Sequence, residues 1–156
     1  MEAQKEVLYA QLAAQLERLL DGALPLVSNL ANASALLYQS LPELNWAGFY
    51  LMREGELVLG PFQGRPACTR IALGRGVCGA AARENRVQRV PDVRAFPGHI
   101  ACDSASRSEI VLPLHDAQGC VAGVLDLDSP LPERFDAVDE AGLRGVVLVL
   151  EKVIFQ

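Results

Sequence analysis

The chain has 156 residues, 51% of them hydrophobic, and a formal net charge of −5, with a pI near 5.0. That length lets one domain, residues 1–156, bury most of its apolar surface without disulfides or a metal, and the acidic balance argues against nucleic acid as a partner. The longest apolar stretch, Gly145 to Leu150, is too short for a membrane helix of roughly 18 to 20 residues, and the first twenty residues lack the features of an export signal, so the expectation is a cytoplasmic protein with no membrane span.

Leu8, Leu12, Leu16 and Leu19 recur at helical spacing and predict a helix from about Ala3 to Leu20; Asp21 and Pro25 open a second, running to about Gln39. Six segments follow that alternate or run apolar between turn residues: Asn45 to Met52, Glu56 to Pro61, Thr69 to Leu73, Val87 to Pro91, Glu109 to His115, and Cys120 to Asp128. These predict strands. Glu54-Gly55 and Gln118-Gly119 lie between neighbouring runs at hairpin spacing, which predicts antiparallel pairing. A short helix from Cys78 to Asn85 interrupts the series, and Asp136 caps a last one that continues through Leu143, Val146, Leu150 and Ile154. The predicted fold is a single α+β domain with a central antiparallel sheet of about six strands flanked by helices.

Side chains at i, i+2 and i+4 share one face of a strand. Trp46, Gly48 and Tyr50 therefore align, and two rings flanking a bare position predict an aromatic slot for a small apolar group such as a methyl. The plainer alternative is that both rings are core residues, since aromatics are common in strands. On the strand ending at residue 128, Asp126 and Asp128 share a face while Leu125 and Leu127 take the other. Aspartate is disfavoured in strands, and a buried charge must be paired, hydrogen-bonded or neutralised. The pair therefore asks for a ligand, unless it is a solvated strand end. Glu109 supplies a third carboxyl if the strands at 109–115 and 120–128 form a hairpin.

The four cysteines, Cys68, Cys78, Cys102 and Cys120, lie in a chain expected to be cytosolic, where thiols usually serve chemistry rather than stapling. They are spread too widely for zinc knuckles, so no metal site is expected, and no C-x-x-C pair is present. Cys102 lies in a polar, irregular stretch and is the first candidate nucleophile. Cys78 opens a predicted helix, whose N–H groups and dipole lower a thiol's pKa, and is the second. Cys120, inside a predicted strand, is expected to pack as a small hydrophobe.

The stretch Asn45-Trp46-Ala47-Gly48-Phe49-Tyr50-Leu51, then Leu59-Gly60-Pro61-Phe62-Gln63-Gly64, Cys68, Gly76-Val77-Cys78-Gly79, His99-Ile100-Ala101-Cys102-Asp103, Ser108-Glu109-Ile110-Val111 with Pro113, and Gly123-Val124-Leu125-Asp126-Leu127-Asp128-Ser129 closely resembles the free methionine-(R)-sulfoxide reductases, which are single GAF-type domains. The resemblance runs over almost the whole chain. It implies reduction of the free amino acid sulfoxide rather than of an oxidised residue within a protein. It places the family's three thiols on Cys68, Cys78 and Cys102, with Cys102 attacking the sulfoxide sulfur and becoming a sulfenic acid. Cys68 is then the favoured resolving partner and Cys78 an alternate or relay, with thioredoxin as the external reductant and no bound cofactor.

A sulfoxide oxygen leaves only once protonated, a role that clustered Glu109, Asp126 and Asp128 can fill when repulsion and burial keep one of them protonated. The remaining anions would hold the substrate ammonium, and Trp46 with Tyr50 would receive its S-methyl group. The resemblance and the apolar leading helices also point to a homodimer. Two other function classes compete: a non-catalytic GAF sensor of small molecules, and a thiol redox switch that uses the same cysteines without the carboxylates.

Overall fold

A computed structural model describes residues 1–99 and 102–156; Ile100 and Ala101 of the His99–Asp103 motif lie outside the described residues. The chain begins with α1 (Glu2–Leu19) and α2 (Leu26–Ser40), and α2 starts directly after Pro25, whose fixed φ suits a helix entry. Strands β1 (Trp46–Arg53), β2 (Glu56–Gly64) and β3 (Arg70–Ala72) lead to α3 (Gly76–Glu84). Then come β4 (Gln88–Val90), a single 3-10 turn at Val93–Ala95, β5 (Ser108–His115), β6 (Val121–Ser129) and α4 (Ala137–Ile154). The N-terminus of α4 is closed by a reciprocal capping box between Asp136 and Asp139, which satisfies two otherwise orphaned N–H groups.

The strands form one antiparallel six-stranded sheet in the order β3-β2-β1-β6-β5-β4. The β1–β2 turn places Glu54 at φ 52° and Gly55 at φ 82°, the left-handed pair that a tight hairpin demands. Strand β2 runs three residues past the expected Pro61 because the β1–β2 register shifts between Gly48 and Tyr50. Gly60 and Pro61 sit within that irregularity, where a missing ladder donor is tolerated.

The β5–β6 connection differs from a two-residue hairpin. Asp116 N donates to the Cys120 carbonyl at 2.9 Å and Gly119 N to the Asp116 carbonyl at 3.0 Å, so Cys120 belongs to the turn and β6 begins at Val121. Cys120 is exposed, which corrects the expectation that it packs in a strand.

Period two sorts the sheet into two faces. Ala47, Phe49, Ile110, Leu112, Leu125 and Leu127 pack with α1, α2 and α4 in the larger core. Trp46, Tyr50, Val111 and Val124 pack on the other side with Ile71, Val77 and Ala81. Burying a Leu or Phe side chain contributes about 1.5–3 kcal/mol, so the larger core sets the sheet rigidly. The second face, covered only by α3 and by loops, is where polar side chains gather.

Candidate active site

Strand register assembles the carboxyls. Asp128 on β6 is paired across the ladder with Trp46 on β1 and with Glu109 on β5, so one row reads Trp46, Asp128, Glu109. The next row on the same face reads Gly48, Asp126, Val111. Cys78 on α3 lies over these rows: its thiol donates to Asp126 Oδ2 at 3.3 Å and approaches Glu109 Oε2 at 3.9 Å. Glu109, Asp126 and Asp128 are 7%, 5% and 9% exposed, and among the described residues no Lys, Arg or His forms an ion pair with them. They are therefore not a solvated strand end.

Three buried carboxyls with no ion-paired cation among the described residues cannot all ionise. Burial, reinforced by the Asp128 charge, pushes Asp126 up to about 8. Burial and then the neighbouring Asp126 carry Glu109 well above the usual carboxyl range, and burial and then Glu109 do the same to Asp128. Oδ1 of Asp126 has no hydrogen-bond partner among the described residues, an unmet acceptor of the kind a ligand completes.

Cys78 departs from its expected chemistry. It is the third residue of α3 rather than its opening residue, and burial, followed by Asp126, Glu109 and Asp128, pushes its thiol well above the ordinary cysteine value. The helix-start argument for a reactive thiolate fails because these neighbours outweigh the backbone dipole. Cys68 and Cys102 form a disulfide across a 34-residue separation with Cα atoms 5.7 Å apart. Cys102, Asp103 and Ser106 line the same cavity as the carboxyls, Trp46 and Tyr50.

The aromatic slot is not built as the alignment predicts. A side chain at Gly48 would collide with Cβ and Cα of Phe62, so the bare position admits the neighbouring strand rather than a methyl. Trp46 stacks on Phe62 at 5.1 Å and on Tyr50 at 5.9 Å between ring centroids. The rings are thus both packed residues and cavity walls. Trp46 Nε1 donates to the Arg65 carbonyl at 3.1 Å, and the Tyr50 hydroxyl to the Cys68 carbonyl at 2.9 Å. The latter bond ties the aromatic wall to the disulfide.

The cavity encloses about 50 Å³, room for a few water molecules. Cys78, Glu109 and Asp126 also place one ligand atom each within 4.8 Å of one another, a thiol-carboxylate donor set that thiol spacing alone leaves unseen. Asp103 and Ser106 line the cavity and are signalled in the sequence only by their nearness to Cys102.

Residues 11–154 match the family described as GAF domain. The chain is 54% identical over 150 residues to the free methionine-R-sulfoxide reductase of Escherichia coli, covering 96% of this chain and 90% of that protein. It is 46% identical to the enzyme of the same name from Saccharomyces cerevisiae, covering 95% of this chain and 86% of that one. The X-ray structure of free methionine-R-sulfoxide reductase from Neisseria meningitidis, in complex with its substrate, superposes with a TM-score of 0.88 at 46% identity, covering 95% of this chain and 89% of that chain. With a buried carboxyl cluster beside a disulfide-bonded pair of cysteines on this scaffold, the chain belongs to the GAF domain family and, within it, to the free methionine-R-sulfoxide reductases, which are oxidoreductases.

Proposed function

We propose that this protein reduces free L-methionine-(R)-sulfoxide to methionine in the cytoplasm, the whole chain acting as one catalytic unit. The observation that carries the reading is the Cys68–Cys102 disulfide, whose Cys102 lines the same cavity as three buried carboxyls that form no ion pair among the described residues. In the reduced protein the Cys102 thiolate attacks the substrate sulfur while a protonated carboxyl gives its hydrogen to the sulfoxide oxygen. That oxygen passes to Cys102 as a sulfenic acid, and methionine leaves with the sulfur's lone pair restored. Cys68 then attacks the Cys102 sulfur, water departs and the disulfide forms. Thioredoxin returns both thiols by exchange.

Glu109 and Asp128, adjacent in one ladder row, flank the sulfoxide, and Asp126 with its free Oδ1 supports them and helps to hold the ammonium. Trp46 and Tyr50 meet the S-methyl group with their cavity faces. Cys78 remains a neutral thiol that donates to Asp126 rather than a second nucleophile. A peptide chain on both sides of the methionine has no room in such a pocket, which supports the free amino acid as substrate.

The test offers the separate R and S epimers of free methionine sulfoxide with a thioredoxin system and follows NADPH consumption, beside a parallel assay driven by dithiothreitol. Turnover of the R epimer in both assays is expected. Turnover with dithiothreitol alone would overturn thioredoxin, and absence of turnover with either reductant would overturn the reaction. Cys102→Ser should be inactive, and multiple turnovers by that variant would remove it as the nucleophile.

A further inference from the structure

The loop that carries Cys102 is tied to the sheet by one side chain outside the cavity. Asn45 immediately precedes β1, and its backbone N–H donates to the Asp128 carbonyl at 3.0 Å, which locks it beside the row of Trp46 and Asp128. Its side-chain Nδ2 donates to Asp103 Oδ2 and to Ser106 Oγ, both at 3.0 Å. Asp103 follows Cys102 directly. Its Oδ1 accepts from Ala105 N at 2.9 Å, and Ser106 N donates to the Asp103 carbonyl at 3.2 Å, so residues 103–106 form a closed turn that Asn45 grips at both ends. Among the described residues no Lys, Arg or His forms an ion pair with Asp103.

The amide orientation follows from its partners, because the reverse orientation would set the amide oxygen against the Asp103 carboxylate, two acceptors with no hydrogen between them. In the orientation found, Oδ1 of Asn45 is buried and accepts from nothing among the described residues. A residue kept only for packing would avoid that unmet acceptor. We propose that Asn45 is a positioning residue that holds the Cys102 loop in register with the Trp46, Asp128 and Glu109 row once the disulfide has been reduced. While oxidised, Cys102 is held by its bond to Cys68. After reduction, the amide clasp and the bond from Arg107 N to the Ser129 carbonyl at 2.7 Å remain to place the segment after the attacking sulfur.

The inference rests on Cys102 being the nucleophile, and the experiment keeps the two apart. Asn45→Asp sets a carboxylate against Asp103 and removes both donors. Asn45 does not line the cavity, so kcat should fall roughly 10- to 100-fold, the worth of a lost hydrogen bond to a charged group, with KM within about threefold of the parent. The reciprocal pair Asn45→Asp with Asp103→Asn restores donor to acceptor across the same gap, and kcat should recover to within about fivefold of the parent. Asp103→Ala removes the Asp103 half of the clasp without adding charge, leaving only the bond to Ser106, and should lower kcat as well, which covers the case of an unfolded Asn45→Asp. Near-parental kcat in Asn45→Asp or in Asp103→Ala would overturn the clasp. So would failure of the reciprocal pair to recover while its melting temperature matches the parent. Turnover by Cys102→Ser would instead overturn the nucleophile while leaving the paired variants to report on the loop.

Discussion

The thiol of Cys78 donates to Asp126 Oδ2 at 3.3 Å inside a pocket that holds two further carboxyls. A thiolate there would face negative or easily ionised groups that form no ion pair with a cation among the described residues, so the proton stays on sulfur. When the reduced protein is treated with iodoacetamide near pH 7, Cys102, Cys68 and the exposed Cys120 should be alkylated well before Cys78. Mass mapping of the peptides reads the order. Early labelling of Cys78 would mean that the backbone dipole of α3 prevails over its carboxyl neighbours.

The same carboxyls give the protein a defined dependence on pH. Asp126 keeps its proton up to about pH 8 in the folded state but releases it near 3.8, its ordinary value, when unfolded. The native state therefore binds more protons across that window. This contribution to stability is full below about pH 4 and is lost as the pH rises towards 8, at up to about 1.4 kcal/mol per pH unit for one proton. Asp126→Asn removes the titrating group, so the difference in melting temperature between variant and parent should shift in favour of the variant as the pH is raised from about 5 to 8. The variant should also lose turnover while still forming the Cys68–Cys102 disulfide with a chemical oxidant. Retained turnover would remove Asp126 from the catalytic machinery, whereas a redox switch would form the disulfide in both proteins and turn over the sulfoxide in neither.

Much of this architecture was legible because period and turn chemistry are local. The apolar spacing of Leu12 and Leu16, the Glu54-Gly55 turn and the Asp136 cap each specify an element without help from distant residues. Asp126 and Asp128 announced themselves as misfits in an apolar strand, and the hairpin logic brought Glu109 to them. The failures are tertiary. Cys78 looked activated because its helix was visible and its carboxyl neighbours, 31 and 48 residues further along the chain, were not. Gly48 suggested empty space because Phe62 fills it from a neighbouring strand whose register shift leaves no mark in composition. Asn45 shows in the sequence only as the first residue of a predicted strand and of the Asn45–Leu51 motif, and its clasp stays hidden because its partners lie on a separate loop.

Trp46 joins packing to the site and calls for two substitutions. Trp46→Ala removes a buried ring stacked on Phe62 and Tyr50 and should cost about 3–5 kcal/mol of stability. Trp46→Phe keeps most of the stacking but loses the Nε1 bond to the Arg65 carbonyl, worth about 1 kcal/mol. If the ring meets the S-methyl group, Trp46→Phe should raise KM for methionine sulfoxide with only a small drop in melting temperature. An unchanged KM and kcat in that folded variant would return Trp46 to a purely structural role.

Cys68 is required for closing the cycle rather than for oxygen transfer. The Cys68–Cys102 pair bridges the loop between β2 and β3 and the loop before β5, and without Cys68 the sulfenic acid formed on Cys102 has no resolving thiol beside the cavity except Cys78, whose raised pKa leaves little thiolate to attack. Cys68→Ser should therefore release about one methionine per protein molecule in a rapid first turnover and then stall with thioredoxin as reductant. A sulfenic acid at Cys102, trapped with dimedone and located by mass spectrometry, is the matching signature. Adding a small thiol such as dithiothreitol should restart turnover, because it reduces the sulfenic acid without an internal partner. Steady turnover with thioredoxin in Cys68→Ser would assign resolution to Cys78 and require that the reduced pocket open enough to let its proton go.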